Sequence, residues 1–122
     1  MANTPVKLDA LASTMKVLAD PTRLRLFEIL LSGQHCNCEL GQLSGLSNNL
    51  VSHHLRVLTD AGLIQSRRDA DDARWIYFSV DRSQTEKFME QLVLFLHPQT
   101  TAPREPNCSP RKNLALRGAK NE

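Results

Sequence analysis

Three cysteines are the side chains of this 122-residue chain best suited to chemistry, and two of them are separated by a single residue. Cys36 and Cys38 form a Cys-Asn-Cys pair, whereas Cys108 stands alone towards the carboxyl end. The amino end has no charged-then-apolar signal pattern, so we expect a reducing, cytoplasmic setting in which a disulfide scaffold is disfavoured. Because thiolates bind soft metals and are readily oxidised, the pair indicates metal or redox chemistry.

A second set of candidate residues shares one face of a helix expected over residues 48–61. At about 100° per residue, its apolar side chains, Leu50 and Val51 among them, fall on one half together with His54. We interpret His54 as a hydrogen-bonded core residue. The alternative for the polar half is a solvated surface, but that half lacks the usual lysine and glutamate. It carries groups that suit base edges and phosphates, at Asn48, Asn49, Ser52, His53, Arg56, Thr59 and Asp60.

Hydrophobic spacing and boundary residues predict a mainly α domain with one β-hairpin that positions these groups. Asp20 suits the N-cap ahead of Pro21, and Gly33 suits a left-handed cap at the end of the same helix. A short helix, a turn at Gly45 and a longer helix form a helix-turn-helix pattern. The expected helices cover about residues 6–18, 21–32, 37–43, 48–61 and 83–97, and the expected strands cover 63–68 and 75–80.

The hairpin carries three arginines, Arg67, Arg68 and Arg74, around an acidic tip at residues 69–72. Such a hairpin suits a wing whose arginines reach sugar-phosphate or the minor groove. The alternative is a plain solvated hairpin. Phosphate repels the acidic tip, so we expect the tip to stand away from the backbone.

The last predicted helix has more apolar surface than one side of a small domain can use, which favours packing against a second subunit. The domain is therefore expected to span residues 1–97. Residues 98–122 form a proline-rich, basic segment with few core-forming residues, which we expect to be a flexible tail carrying Cys108.

Bulk composition excludes little. The 41% apolar content is ordinary for a globular protein, and no apolar run is long enough for a membrane span, so we expect no membrane association. A net charge of +2 and a pI near 8.6 are too mild to indicate DNA by themselves. Acidic and basic residues balance over residues 1–80, and the basic excess follows.

Several motifs occur in order between residues 8 and 97: Leu18-Ala19-Asp20-Pro21-Thr22-Arg23-Leu24-Arg25-Leu26, Cys36-Asn37-Cys38-Glu39-Leu40, Leu46-Ser47, Val51-Ser52-His53-His54-Leu55 and Leu58-Thr59-Asp60-Ala61-Gly62-Leu63. In combination they resemble the ArsR/SmtB family of arsenic- and metal-sensing repressors. The resemblance implies a winged helix-turn-helix that forms a homodimer through its first and last helices. It also implies that Asn48, Asn49, Ser52 and His53 read double-stranded operator DNA, as an inverted repeat.

The resemblance places the inducer site at Cys36 and Cys38. Some members of the family have another cysteine three residues after the second one, but this sequence has Gly41 there. As(III) and Sb(III) prefer three sulfurs, and Cd(II) and Pb(II) three or four, so a third ligand is needed. Cys108 is the remaining thiol, and the segment from His97 reaches on the order of 35 Å when extended. The alternative is that Cys108 is incidental.

His35 is more simply a surface residue than a ligand. The family's second site, on the last helix, has an incomplete counterpart here, at Gln84, Glu86, His97 and Thr100.

The expected function is a non-enzymatic repressor that As(III) or Sb(III) releases from DNA. A Cd(II)- or Pb(II)-responsive repressor and a redox-switched repressor are the alternatives. A thiol oxidoreductase is disfavoured because the chain lacks strand-helix alternation.

Overall fold

A computed structural model describes residues 6–100 and 102–108. It has the expected mainly α architecture with a small antiparallel sheet. The helices are α1 (Leu8–Leu18), α2 (Pro21–Leu31), α3 (Asn37–Ser44), α4 (Asn48–Asp60) and α5 (Arg82–Leu96), followed by a 3₁₀ turn at Pro98–Thr100, and the strands are β1 (His35–Cys36), β2 (Ile64–Arg68) and β3 (Ile76–Val80).

Both ends of α2 form where the sequence predicts them. The Asp20 carboxylate accepts the Arg23 backbone N–H at 2.9 Å, and Pro21 occupies the first turn, where its missing N–H costs nothing. The predicted end at Gly33 is also confirmed: the helix ends at Leu31, Ser32 is its C-cap, and Gly33 follows with φ 139°, in the positive range that glycine favours. The Gly33 N–H donates to the Leu30 carbonyl at 3.1 Å.

The helix-turn-helix consists of α3, a turn and α4. Gly45 takes φ 76° and donates its N–H to the Gly41 carbonyl at 2.8 Å, which ends α3 in the left-handed conformation that glycine favours. Ser47 then caps α4 by accepting the Leu50 N–H at 3.3 Å. A Cβ at the buried Gly41 would lie 3.4 Å from Asn48 Oδ1, so α3 packs directly against the start of α4.

The sheet contains a strand that the sequence did not reveal. Its order is β1-β3-β2, all antiparallel, and β1 pairs His35 with Phe78 and Cys36 with Tyr77. A two-residue strand is too short to show alternation of apolar and polar residues. Its pairing joins the first cysteine to the hairpin formed by β2, β3 and residues 69–75, which we call the wing.

One apolar core fixes these elements, with buried residues from α2, α3, α4, β2 and the residue just before β2: Leu26, Ile29, Leu30, Leu40, Val51, Leu55, Leu58, Leu63 and Ile64. The sequence placed Leu50 on the apolar half of α4, but its side chain is 48% exposed, so that placement is wrong. Leu50 lies in the first turn of the helix, about 100° around the axis from the buried Val51. His54 is hydrogen-bonded as expected, with its Nδ1 3.4 Å from Arg23 Nη1, but it is half-buried and not part of the core.

α1 and α5 pack against each other at one side of the domain and leave apolar side chains in solvent. None of the residues of α5 is buried, and Met89, Val93 and Leu96 are 57%, 54% and 67% exposed. Leu8 and Met15 of α1 are also exposed. Across the described residues, none of the helices has the length and apolarity needed to span a membrane.

Candidate nucleic-acid interface and thiol site

The polar half of α4 faces solvent as predicted. Val51, Leu55 and Leu58 are buried beneath the helix. The candidate DNA-contacting residues of this helix are all exposed: Asn48, Asn49, Ser52, His53 and Arg56. Because the buried side anchors the helix and the exposed side offers amide, hydroxyl, imidazole and guanidinium groups, α4 has the form of a recognition helix.

Asp69 shapes the wing. The sequence predicted it only as part of an acidic tip. Its carboxylate accepts the backbone N–H groups of Asp71 and Asp72 at 3.0 Å and the Tyr77 hydroxyl at 3.1 Å. These hydrogen bonds lower the pKa of Asp69, and the neighbouring carboxylate raises the pKa of Tyr77. The sequence signal for such an Asx-type turn is an aspartate in a loop, because its side chain can accept the backbone N–H two residues further on.

Each wing arginine is exposed but already has an intramolecular contact. Arg67 stacks over the Tyr77 ring at 4.8 Å from its centroid, and Arg68 Nη1 donates to the Ala73 carbonyl at 2.7 Å. Arg74 donates to both carboxylate oxygens of Asp72, at 3.0 and 2.7 Å. This pair lowers the pKa of Asp72 and raises that of Arg74. The wing is therefore closer to neutral than its three arginines suggest.

The thiol pair lies where β1 meets the start of α3. Cys36 is buried at the N-cap position, and Cys38 is exposed in the first turn. The Glu39 carboxylate accepts the Cys36 backbone N–H at 3.0 Å, and this bond lowers the pKa of Glu39. The start of a helix favours negative charge, which suits anionic sulfur ligands.

The structure places Cys36 and Cys38, with one residue between them, at the start of α3, one buried and one exposed, and it does not add Cys108 to them. Cys108 is exposed, and the described residues contain no group of three or more His, Cys, Asp and Glu side chains able to hold a metal ion. His35 Nδ1 lies 2.7 Å from the Gly33 carbonyl, so this nitrogen donates and Nε2 is the remaining acceptor. The tail beyond residue 108 lies outside the described residues.

Comparison with known proteins identifies the family. Residues 20–66 match the profile described as "Bacterial regulatory protein, arsR family". The cadmium resistance transcriptional regulatory protein CadC homolog of Staphylococcus aureus is 30% identical over 92 residues, which cover 75% of this chain and 72% of that protein. The chain belongs to the arsR family.

The names of other relatives refer to different metals or metalloids. The probable mercury resistance operon repressor of Streptomyces lividans is 39% identical over 67 residues, 55% of this chain and 54% of that protein. The crystal structure of a possible transcriptional regulator for arsenical resistance is 33% identical, with a TM-score of 0.61, over 76% of this chain and 90% of that one. The chain thus matches only about half the length of the mercury repressor.

Proposed function

We propose that this arsR-family chain is a dimeric, metal-responsive transcriptional repressor that binds operator DNA through α4 and releases it when a thiophilic ion binds Cys36 and Cys38. The observation that carries the proposal is the position of the thiol pair. Cys36 caps the helix that supports the recognition helix, and α3 contacts the first residue of α4 through Gly41.

The exposed face of α4 supports the DNA-binding half of the proposal. Asn48, Asn49, Ser52 and His53 contact base edges in the major groove, and Arg56 contacts phosphate, while Arg67, Arg68 and Arg74 contact the backbone or minor groove beside it. A two-fold dimer presents two such helices and therefore reads an inverted repeat in double-stranded DNA.

For the ion, As(III) or Sb(III) is the leading candidate. Their pyramidal coordination takes three sulfurs, and Cys108, from either subunit, supplies the third in this proposal. Cd(II) and Pb(II) are alternatives that need further ligands, and thiol oxidation of the pair is a third route to release.

A second candidate ion is Hg(II), which is satisfied by two thiolates. Two observations favour it: the described residues contain no group of three or more ligating side chains, and one relative is named as a mercury resistance repressor. In every case the cysteines bind as thiolates, so ion affinity falls on acidification.

Two structural routes connect the pair to the DNA-contacting elements. One runs along α3 to the start of α4, where Gly41 lies close to Asn48. The other runs through β1 to the wing, because Cys36 pairs with Tyr77, whose ring and hydroxyl contact Arg67 and Asp69. Drawing the two thiols around one ion changes the geometry at Cys36 and hence both routes. By linkage, DNA weakens ion binding by the same factor.

The test starts by selecting duplexes from a random double-stranded DNA library with the full-length, reduced, metal-free protein. The enriched duplex is labelled, and its release is followed by fluorescence anisotropy against As(III), Sb(III), Cd(II), Pb(II), Hg(II) and peroxide. Release by As(III) or Sb(III) at stoichiometric concentration supports the leading candidate. Failure to enrich any duplex contradicts DNA binding, and release by peroxide alone contradicts ion sensing.

Cys108→Ser is predicted to leave binding of the enriched duplex unchanged but to weaken its response to As(III). Loss of an outer-shell partner lowers the affinity of a metal site by about 10–100-fold. Loss of a direct ligand should lower the affinity for As(III) by more than this. The Hg(II) response should persist if two thiolates suffice for that ion. Titrations of wild type and variant with each ion measure the difference, and an unchanged As(III) midpoint removes Cys108 from the site.

Asp72→Asn is predicted to strengthen binding of the enriched duplex, because it frees Arg74 to neutralise a phosphate. The slope of log K against log salt concentration should steepen by about 0.9, the value for one added phosphate contact. Asp71→Asn is the matched control, since it removes an equal charge from the same exposed turn without freeing Arg74. Equal slopes for the two variants would show that Asp72 does not hold Arg74 away from DNA.

A further inference from the structure

Arg23 lies where α1, α2 and the recognition helix meet, and it bonds to all three segments. Its backbone N–H donates to Asp20 at 2.9 Å, which belongs to the cap of α2. Its side-chain Nε donates to the Val17 carbonyl at 2.8 Å, near the end of α1. Its Nη1 lies 3.4 Å from His54 Nδ1 on α4.

The contact with His54 requires a neutral imidazole. A guanidinium has donors only, so Nδ1 must accept, and the proton of neutral His54 lies on Nε2. Protonation places a second donor against Arg23 and replaces the hydrogen bond with repulsion.

The charged groups around His54 come from two elements. Asp20 and Arg23 face it from the start of α2, and His53 lies beside it on α4, with ring centroids 5.1 Å apart. Burial lowers the pKa of His54, the carboxylate of Asp20 raises it, and Arg23 and His53 lower it; burial is the largest of these causes.

We infer that Arg23 is a positioning residue for DNA binding, which holds the recognition helix against the α1–α2 corner through neutral His54 and lets it go when His54 is protonated. This inference rests on the proposed DNA binding. It assigns Arg23 and His54 a role apart from the DNA-contacting face and apart from the thiol pair.

The direction of the pH effect follows from the lowered pKa. The unfolded chain takes up the His54 proton near the ordinary value of 6.5, whereas the folded protein takes it up at lower pH. Stability from this contact is therefore fully present above pH 6.5 and is lost as the pH falls through the folded pKa. DNA affinity that depends on the same contact falls in the same direction.

The test uses the full-length, reduced, metal-free protein and the enriched duplex, at a series of pH values from neutral to mildly acidic. Wild type serves as the parent, because the ionisable groups other than His54 are common to it and to the variants, so that a difference between two pH profiles belongs to the changed residue. On acidification, the affinity of this parent should fall by about tenfold more than that of His54→Gln, comparable to the loss of one hydrogen bond. His54→Gln should have the flatter profile, since the glutamine carbonyl accepts from Arg23 at every pH.

Arg23→Lys in the same parent provides a second variant. Lysine keeps the positive charge but lacks the planar fork that reaches both Val17 and His54, so affinity at neutral pH should fall and the pH response should shrink. Equal pH profiles for the parent and His54→Gln would overturn the inference, as would an unchanged profile in Arg23→Lys. If wild type enriches no duplex, the failure lies with the proposed function instead.

Discussion

Replacing Cys36 and Cys38 together with serine is expected to abolish release from the enriched duplex by As(III), Sb(III) or Hg(II), while DNA affinity stays within about threefold of wild type. Serine is a preferred N-cap residue, so Cys36→Ser keeps the start of α3 and costs little stability. Cys38 is exposed, and surface substitutions of this kind usually change stability by less than about 0.5 kcal/mol. The hydroxyls, however, cannot replace thiolates as soft ligands.

The measurement is the anisotropy of the labelled duplex during titration with each ion, for wild type, the double variant and each single variant. A thermal unfolding curve for each protein checks that the helix-turn-helix remains folded. Each single variant should lose most of the response, because it keeps only one thiolate of the Cys36–Cys38 pair and the proposed site needs both. Full release of the double variant by arsenite would place the sensing site elsewhere in the chain.

Much of the fold could be predicted because local signals agree with the tertiary structure. Asp20 and Pro21 mark the start of α2, and Gly45 marks the turn between α3 and α4, because few other residues satisfy those backbone positions. The period of the apolar residues in α4 likewise identified its buried and exposed sides. Leu50 is the exception: it is 48% exposed although the next residue, Val51, is fully buried.

The parts that could not be predicted depend on contacts between distant segments. β1 is two residues long and exists only through its pairing with Phe78 and Tyr77. The hydrogen bond from the Tyr77 hydroxyl to Asp69 depends on how the two sides of the wing lie against each other, and no periodicity encodes this. The link from Arg23 to His54 spans 31 positions and follows from the packing of α2 on α4.

For the candidate site, the sequence predicts which residues take part, but it does not predict how they come together in space. The exposed face of α4 and the placement of Cys36 and Cys38 agree with what was expected from their positions. Contact with DNA and ion binding remain predictions for these residues. Cys108 remains a proposed ligand, because a third sulfur delivered by a terminal segment depends on how two subunits and a tail come together.

Val93→Glu is expected to convert the proposed dimer into monomers and to remove most of its affinity for an inverted repeat. Met89, Val93 and Leu96 form an exposed apolar stripe on α5, and two-fold symmetry brings two copies of the new carboxylate into one interface. Burying or opposing these charges costs several kcal/mol, so the dimer dissociation constant should rise by about 100-fold or more. The monomer then has one recognition helix and loses the gain from binding two half-sites together.

Gln84→Glu is the matched control, because it adds the same charge to α5 about 180° around the helix from Val93. Sedimentation velocity over a range of protein concentrations measures the dimer, and anisotropy with the full inverted repeat and with a single half-site measures DNA binding. Val93→Glu should bind both duplexes with similar, weak affinity, whereas Gln84→Glu should retain the preference of wild type for the full repeat. A Val93→Glu protein that remains dimeric would move the subunit interface away from this face of α5.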